Sequence, residues 1–132
     1  MAKTLRMSVG SHAFGGYVPR LRLQRGVVAD ANAWFTPGLT GLGKGERSIA
    51  NWDEDAVTMA VEAARDALGG TGRGGIESVY LASTSLPFQD RQNAGIVAEA
   101  LRLGHSLATL DITGSQRAGT SALLTALQTV EG

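Results

Sequence analysis

Gln116 stands in the run Leu110-Asp111-Ile112-Thr113-Gly114-Ser115-Gln116-Arg117-Ala118-Gly119-Thr120-Ser121-Ala122, where an apolar strand candidate passes through a Gly-Ser turn into a helix candidate. A strand-turn-helix element of this kind sets its turn residue on a helix N-terminus. There, unsatisfied backbone N–H groups and the helix dipole stabilise an anion or a developing oxyanion. In many acyl-transfer enzymes a nucleophile holds that place. A glutamine amide is no nucleophile, yet it can exchange hydrogen bonds with a carbonyl and fill the position of a thioester. It can equally be a neutral residue that closes a turn. The sequence has no cysteine, which excludes from it a thiol nucleophile, a disulfide and Cys-ligated zinc or iron–sulfur centres. Ser83, Thr84 and Ser85 end a second strand candidate and offer hydroxyls that either line a substrate site or cap a turn. His12, in the Gly10-Ser11-His12 turn, and His105, after a helix stop, have no partner at ligand spacing, so they read as solvated turn residues before catalytic or metal groups. The run Gly69-Gly70-Thr71-Gly72-Arg73-Gly74-Gly75 suggests a phosphate loop. It follows a helix instead of a strand and lacks the Gly-Lys-Ser/Thr ending, which makes it a flexible connection.

The elements that must position these residues are legible from periodicity. The chain has 132 residues, 43% hydrophobic and 18% charged, enough for one domain. Its formal net charge of zero offers no footprint for nucleic acid or an anionic membrane. No apolar stretch approaches the ~18 residues of a membrane span, and the first ten residues lack the apolar region of a signal peptide, so a cytoplasmic address is expected. The 18 glycines fall between periodic segments, as turns and caps. A first strand is expected at Leu5 to Val9, with a continuation at Tyr17-Val18 that Pro19 ends. From about 20 to 51 the pattern predicts an irregular excursion, with a short helix around Val27 to Ala33. Asp53-Glu54-Asp55 then opens the clearest helix, with Val57, Ala60, Val61, Ala64 and Leu68 on one face and Gly69-Gly70 as its stop. Ser78 to Ser83 reads as a buried strand, and Asn93 to a stop at Gly104 as a helix. Leu107 to Ile112 is the next strand and Ala118 to Val130 the last helix. Strands alternating with helices imply a mostly parallel or mixed sheet whose functional edge is at the strands' carboxyl ends. The small residues of the last helix suit close packing in the middle of a larger body, and the chain is expected to be a piece of one.

Four runs, KGERSIANWDEDAVTMAVEAARDAL, VYLASTSLP, NAGIVAEAL and DITGSQRAGTSAL, carry a resemblance. In order and spacing they resemble the N-terminal half of the thiolase superfamily, in the branch of the hydroxymethylglutaryl-CoA synthases and 3-oxoacyl-(acyl carrier protein) synthase III. The resemblance covers nearly the whole chain. It implies an α/β fold, the N-terminal half of a thiolase-like domain over 1–132 with a buried central helix and an irregular insertion at about 20–51. It further implies that Gln116 stands where the family has its catalytic cysteine, and Thr84 where hydroxymethylglutaryl-CoA synthases have an acid/base glutamate. Ser83 and Ser85 flank that position. Trp34, Lys44 and Arg47 fall in a region that in related synthases holds coenzyme A, where they contact pantetheine or phosphate or are merely solvated. A coenzyme A thioester is the implied substrate or ligand, with no covalent cofactor and no metal. The family's histidine lies in a C-terminal half, so the implied partners are that complementary half and a second copy in a homo- or hetero-oligomer. Two readings follow: a subunit of an acyl-thioester enzyme, or a non-catalytic scaffold beside a zinc-ribbon/OB-fold protein. Ketosynthase-like domains with glutamine at this position are associated with decarboxylation of malonyl thioesters, and an engineered mimic of an acylated cysteine would look the same.

Overall fold

The structure, a computed structural model, describes residues 9–131. The described chain divides into two compact units, residues 18–54 and residues 9–17 with 55–131.

In the unit of residues 18–54, strand β1 (Leu21–Gln24) runs into helix α1 (Arg25–Asn32), then a 3-10 helix (Pro37–Leu42), then strand β2 (Glu46–Ile49). The strands pair antiparallel, from Leu21 opposite Ile49 to Gln24 opposite Glu46. A side-chain bond from Gln24 Nε2 to Glu46 Oε2 (3.0 Å) and a backbone bond from Arg25 N–H to Gly45 C=O (2.9 Å) close the end of the hairpin. Gly45 takes a positive φ of 75°, which a side chain would resist. Pro37 suits the first position of the 3-10 helix, where its missing N–H is no loss. The expectation of an irregular excursion over 20–51 is therefore corrected: the segment is mostly regular. Its strands are only four residues long, too short for alternation to stand out, and what organises them is backbone pairing across more than 20 residues. Tyr17 and Val18 form no strand, and the expected strand Leu5 to Val9 lies, but for Val9, outside the described residues.

The other unit is built from α2 (Ala56–Leu68), β3 (Ser78–Ala82), α3 (Asn93–Ala100), β4 (Ala108–Ile112) and α4 (Ala118–Glu131). Asp55 caps α2 reciprocally: its Oδ1 accepts the Thr58 N–H, and Thr58 Oγ1 accepts the Asp55 N–H, each at 2.8 Å. Gly15 lies so close to α2 that a Cβ there would come within 2.2 Å of the Ala67 nitrogen. The Gly16 N–H beside it bonds Asp66 Oδ2 at 2.9 Å. β3 and β4 pair parallel, Ser78 opposite Ala108 through Ala82 opposite Ile112, with α3 as the intervening helix. Alternation sends Val79 and Leu81 to one face, against the cluster Val57, Val61, Ala94, Val97, Ala98, Leu101 and Leu103. It sends Tyr80 to the other, where its hydroxyl meets Thr129 Oγ1 of α4 at 3.1 Å. The two strands thus separate α2 and α3 from α4. The most buried helix is α3, while α4 leaves Leu123, Leu124 and Val130 exposed.

Helix α3 ends at Ala100, short of the Gly104 stop expected for it. Arg102 takes the left-handed conformation (φ 53°), its N–H bonds Glu99 C=O, and the Leu103 N–H reaches back to Ala98 C=O at 3.0 Å. This is a Schellman termination with arginine where glycine is usual, fixed by burial of Leu103.

Candidate functional site

Because β3 and β4 run parallel, the segments that follow them leave the same edge of the sheet. After β4, Gly114 turns the chain with φ +84°, and Ser115 Oγ accepts the Arg117 N–H at 3.1 Å. A bond from the Ala118 N–H to Ser115 C=O (3.0 Å) starts α4. Gln116 is exposed at this helix entry, and among the described residues its amide has no hydrogen-bond partner. After β3, the Ser83 N–H bonds Ile112 C=O at 3.2 Å, carrying the ladder one step beyond the strand. Ser83 Oγ accepts the Ser85 N–H at 3.1 Å and lies 3.3 Å from Ser85 Oγ, so these two hydroxyls close a turn. Thr84 between them is exposed, and lines an open depression with Leu86, Phe88, Gln92, Asp111 and Thr113.

Two residues of this region had no role in the sequence reading. Asp111, on the α3 face of β4, accepts three hydrogen bonds: from the Ala94 N–H to Oδ1 (2.7 Å), and from the Asn93 N–H (2.7 Å) and Asn93 Nδ2 (2.8 Å) to Oδ2. It thereby satisfies the first N–H groups of α3. Asn93, 1% exposed, also exchanges bonds with the Phe88 backbone, accepting its N–H at 3.1 Å and donating to its C=O at 2.9 Å. Burial of Asp111 opposes its charge, but the bonds from the Asn93 side chain, the Asn93 N–H and the Ala94 N–H outweigh it and hold the carboxyl below its ordinary pKa. The available signal was an acid inside the apolar run Leu110-Asp111-Ile112, which must find donors when a sheet is covered. Asp90, at the rim, is held below its ordinary pKa by the side-chain hydrogen bond from Arg91.

The remaining expected contacts belong to the 18–54 unit. Trp34 is 84% exposed with its ring centroid 5.8 Å from that of Phe35, and Lys44 is exposed. Arg47 and Arg25 flank a small hollow floored by Val28, Ala29, Leu39 and Leu42. His12 and His105 are exposed. Among the described residues no three His, Asp or Glu side chains converge as a metal site requires, and no helix is long and apolar enough to cross a membrane.

No family model matches the sequence. Similar proteins are nevertheless found among the hydroxymethylglutaryl-CoA synthases. That of Archaeoglobus fulgidus is 36% identical over 120 residues, 87% of this chain and 34% of the relative, and that of Methanocella arvoryzae is 34% identical over 128 residues, 94% and 36%. The chain spans about a third of the length of the curated relatives it matches. Among solved structures, a Xanthomonas campestris OleA variant with bound lauric acid and lauroyl-CoA superimposes with a TM-score of 0.81 at 20% identity, over 96% of this chain and 41% of that one. A 3-oxoacyl-(acyl carrier protein) synthase III from Xanthomonas oryzae gives 0.79 at 21%, over 95% and 40%. At such identity the structures speak for the fold, and the curated relatives for the branch. The chain has the fold of the N-terminal half of a thiolase-like domain, and its sequence resembles that of the hydroxymethylglutaryl-CoA synthases in that superfamily.

Proposed function

We propose that this chain is the N-terminal part of a thiolase-like acyl-thioester enzyme that lacks the nucleophilic cysteine and needs a complementary C-terminal half. The observation that carries this reading is the exposed Gln116, without a hydrogen-bond partner among the described residues, at the entry to α4, on the sheet edge from which Thr84 also projects. A helix entry stabilises negative charge on a thioester oxygen or an enolate. An amide there donates to the same oxygen without forming an acyl-enzyme. Thr84 occupies the acid/base position and is a poor proton carrier, which argues against ordinary condensation and for binding or decarboxylation of an acyl thioester. Ser83 and Ser85 hold the Thr84 turn, and Trp34, Lys44 and Arg47 contact the coenzyme A portion. The lauroyl-CoA in the OleA relative supports the substrate class.

A second reading has its own support: both positions that carry the branch's chemistry hold residues that cannot perform it. In that reading the chain is a non-catalytic scaffold in a hydroxymethylglutaryl-CoA synthase-like complex, with a zinc-ribbon/OB-fold protein as neighbour.

Native mass spectrometry of the chain purified from its source cells, with and without acyl-CoA, separates the readings. A complex with a second polypeptide supplying the C-terminal half, and a mass increment of one acyl-CoA, supports the enzyme reading. In that complex Gln116→Cys should be acylated by acyl-CoA and the unaltered chain should not. A complex that binds no acyl-CoA supports the scaffold, and a ligand-free monomer overturns both.

A further inference from the structure

We infer that Asp111 is a positioning residue: by way of Asn93 it ties the strand that leads to Gln116 to the loop that carries Thr84, and so sets the spacing of the two walls of the depression they share. The inference rests on the reading of Gln116 and Thr84 given above. The loop from 83 to 93 is attached to β4 at both ends. At its start the attachment is the bond from the Ser83 N–H to Ile112 C=O, and at its close it is the chain of bonds Asp111–Asn93–Phe88.

A simple helix cap needs only the backbone donors of Asn93 and Ala94. The Asn93 side chain does more, because its amide is fully committed in a buried place, with one bond to Asp111 Oδ2 and two to the Phe88 backbone. Phe88 in turn lines the depression together with Thr84, Asp111 and Thr113. A shift of Asp111 is therefore passed to the loop wall through bonds that leave no unsatisfied alternative. The other ionisable groups lining the depression, Asp90 and Arg91, are paired with each other at 3.1 Å, and neither bonds Asp111. Among the described residues no side-chain cation is therefore bonded to the carboxylate in place of Asn93.

The test is amide hydrogen exchange on the full chain in its native assembly, comparing the unaltered protein with Asp111→Asn and Asn93→Ala. Asn93→Ala keeps the carboxylate and both backbone donors and removes only the side-chain bonds that join Asp111 to Phe88, so it distinguishes the tie from the cap. Both variants should raise exchange across residues 84–92 by about tenfold or more while α2 and α4 keep their protection. Acidification should loosen the same loop more in the unaltered chain than in Asp111→Asn, where only the exposed Asp90–Arg91 pair is left to lose. In a Gln116→Cys background, both variants should slow acylation at saturating acyl-CoA by about tenfold and leave the half-saturating concentration unchanged. Exchange that rises uniformly through the unit, or not at all, overturns the tie. If the loop loosens but the Gln116→Cys chain is never acylated, the thioester reading falls and the positioning role falls with it.

Discussion

The two units differ in what holds them. In the unit of residues 9–17 and 55–131, two helices and a parallel strand pair bury Val57, Val61, Leu81, Ala94, Val97, Ala98, Leu101 and Leu103 in one cluster, with α4 on the opposite face of the strands. In residues 18–54 only Ala29 is buried, while Val27, Trp34, Phe35 and Leu42 are each at least 60% exposed. A segment of this size, below ~40 residues, rarely stabilises itself without help. Regular structure there rests on hairpin bonds and a glycine turn, whereas in the other unit packing fixes the strands and helices whose ends carry the hydrogen-bonded turns of Thr84 and Gln116. Backbone pairing can organise a segment, but the apolar side chains it leaves outside still require a cover.

The sharpest way to break this contrast is to cut both units alike. Leu101→Ala, at a position 3% exposed, should destabilise by about 2–5 kcal/mol, read from chemical denaturation of the purified protein. A much smaller loss would mean that the cluster is not what holds the unit together. Next in size is Asp111→Asn, which leaves at least one buried donor without its charged acceptor and should cost about 1.5–3 kcal/mol. The difference also has a pH signature. Because the folded-state pKa of Asp111 lies below its unfolded value near ~3.9, the stabilisation is present above that value and is lost as pH falls through the folded pKa. The pH-dependent part of the gap between the unaltered chain and Asp111→Asn should therefore disappear in acid. Asp55→Ala removes one half of the capping box on α2 and should cost about 1 kcal/mol, checked by the same denaturation. The smallest effect belongs to the other unit: Leu42→Ala, at 71% exposure, should change stability by no more than about 0.5 kcal/mol in the chain alone. A clearly larger loss in the native assembly would show that a partner covers Leu42.

How much of this was legible in the sequence follows the same division. Apolar periodicity and acidic caps placed α2, β3, β4 and α4 to within a residue or two, because in those segments burial dictates the pattern. Residues 20–51 were read as irregular but for a short helix around 27–33, which α1 matches; the strands were missed because pairs such as Leu23 with Arg47 are long-range and leave no local periodicity. The helix-entry position of Gln116 was readable from the Gly-Ser turn before it. Asp111 was not singled out, since nothing in Leu110-Asp111-Ile112 says that its donors lie 17 and 18 residues earlier on α3.

Arg102 has a consequence for how freely this sequence can change. An L side chain held in the left-handed region stores strain that glycine would not, and the bonds around it do not involve its guanidinium. Arg102→Gly therefore offers stability without touching the Gln116 or Thr84 turns. A protein living close to its stability threshold can convert such a reserve into tolerance for substitutions at the turn after β4, including the introduction of a reactive side chain at position 116.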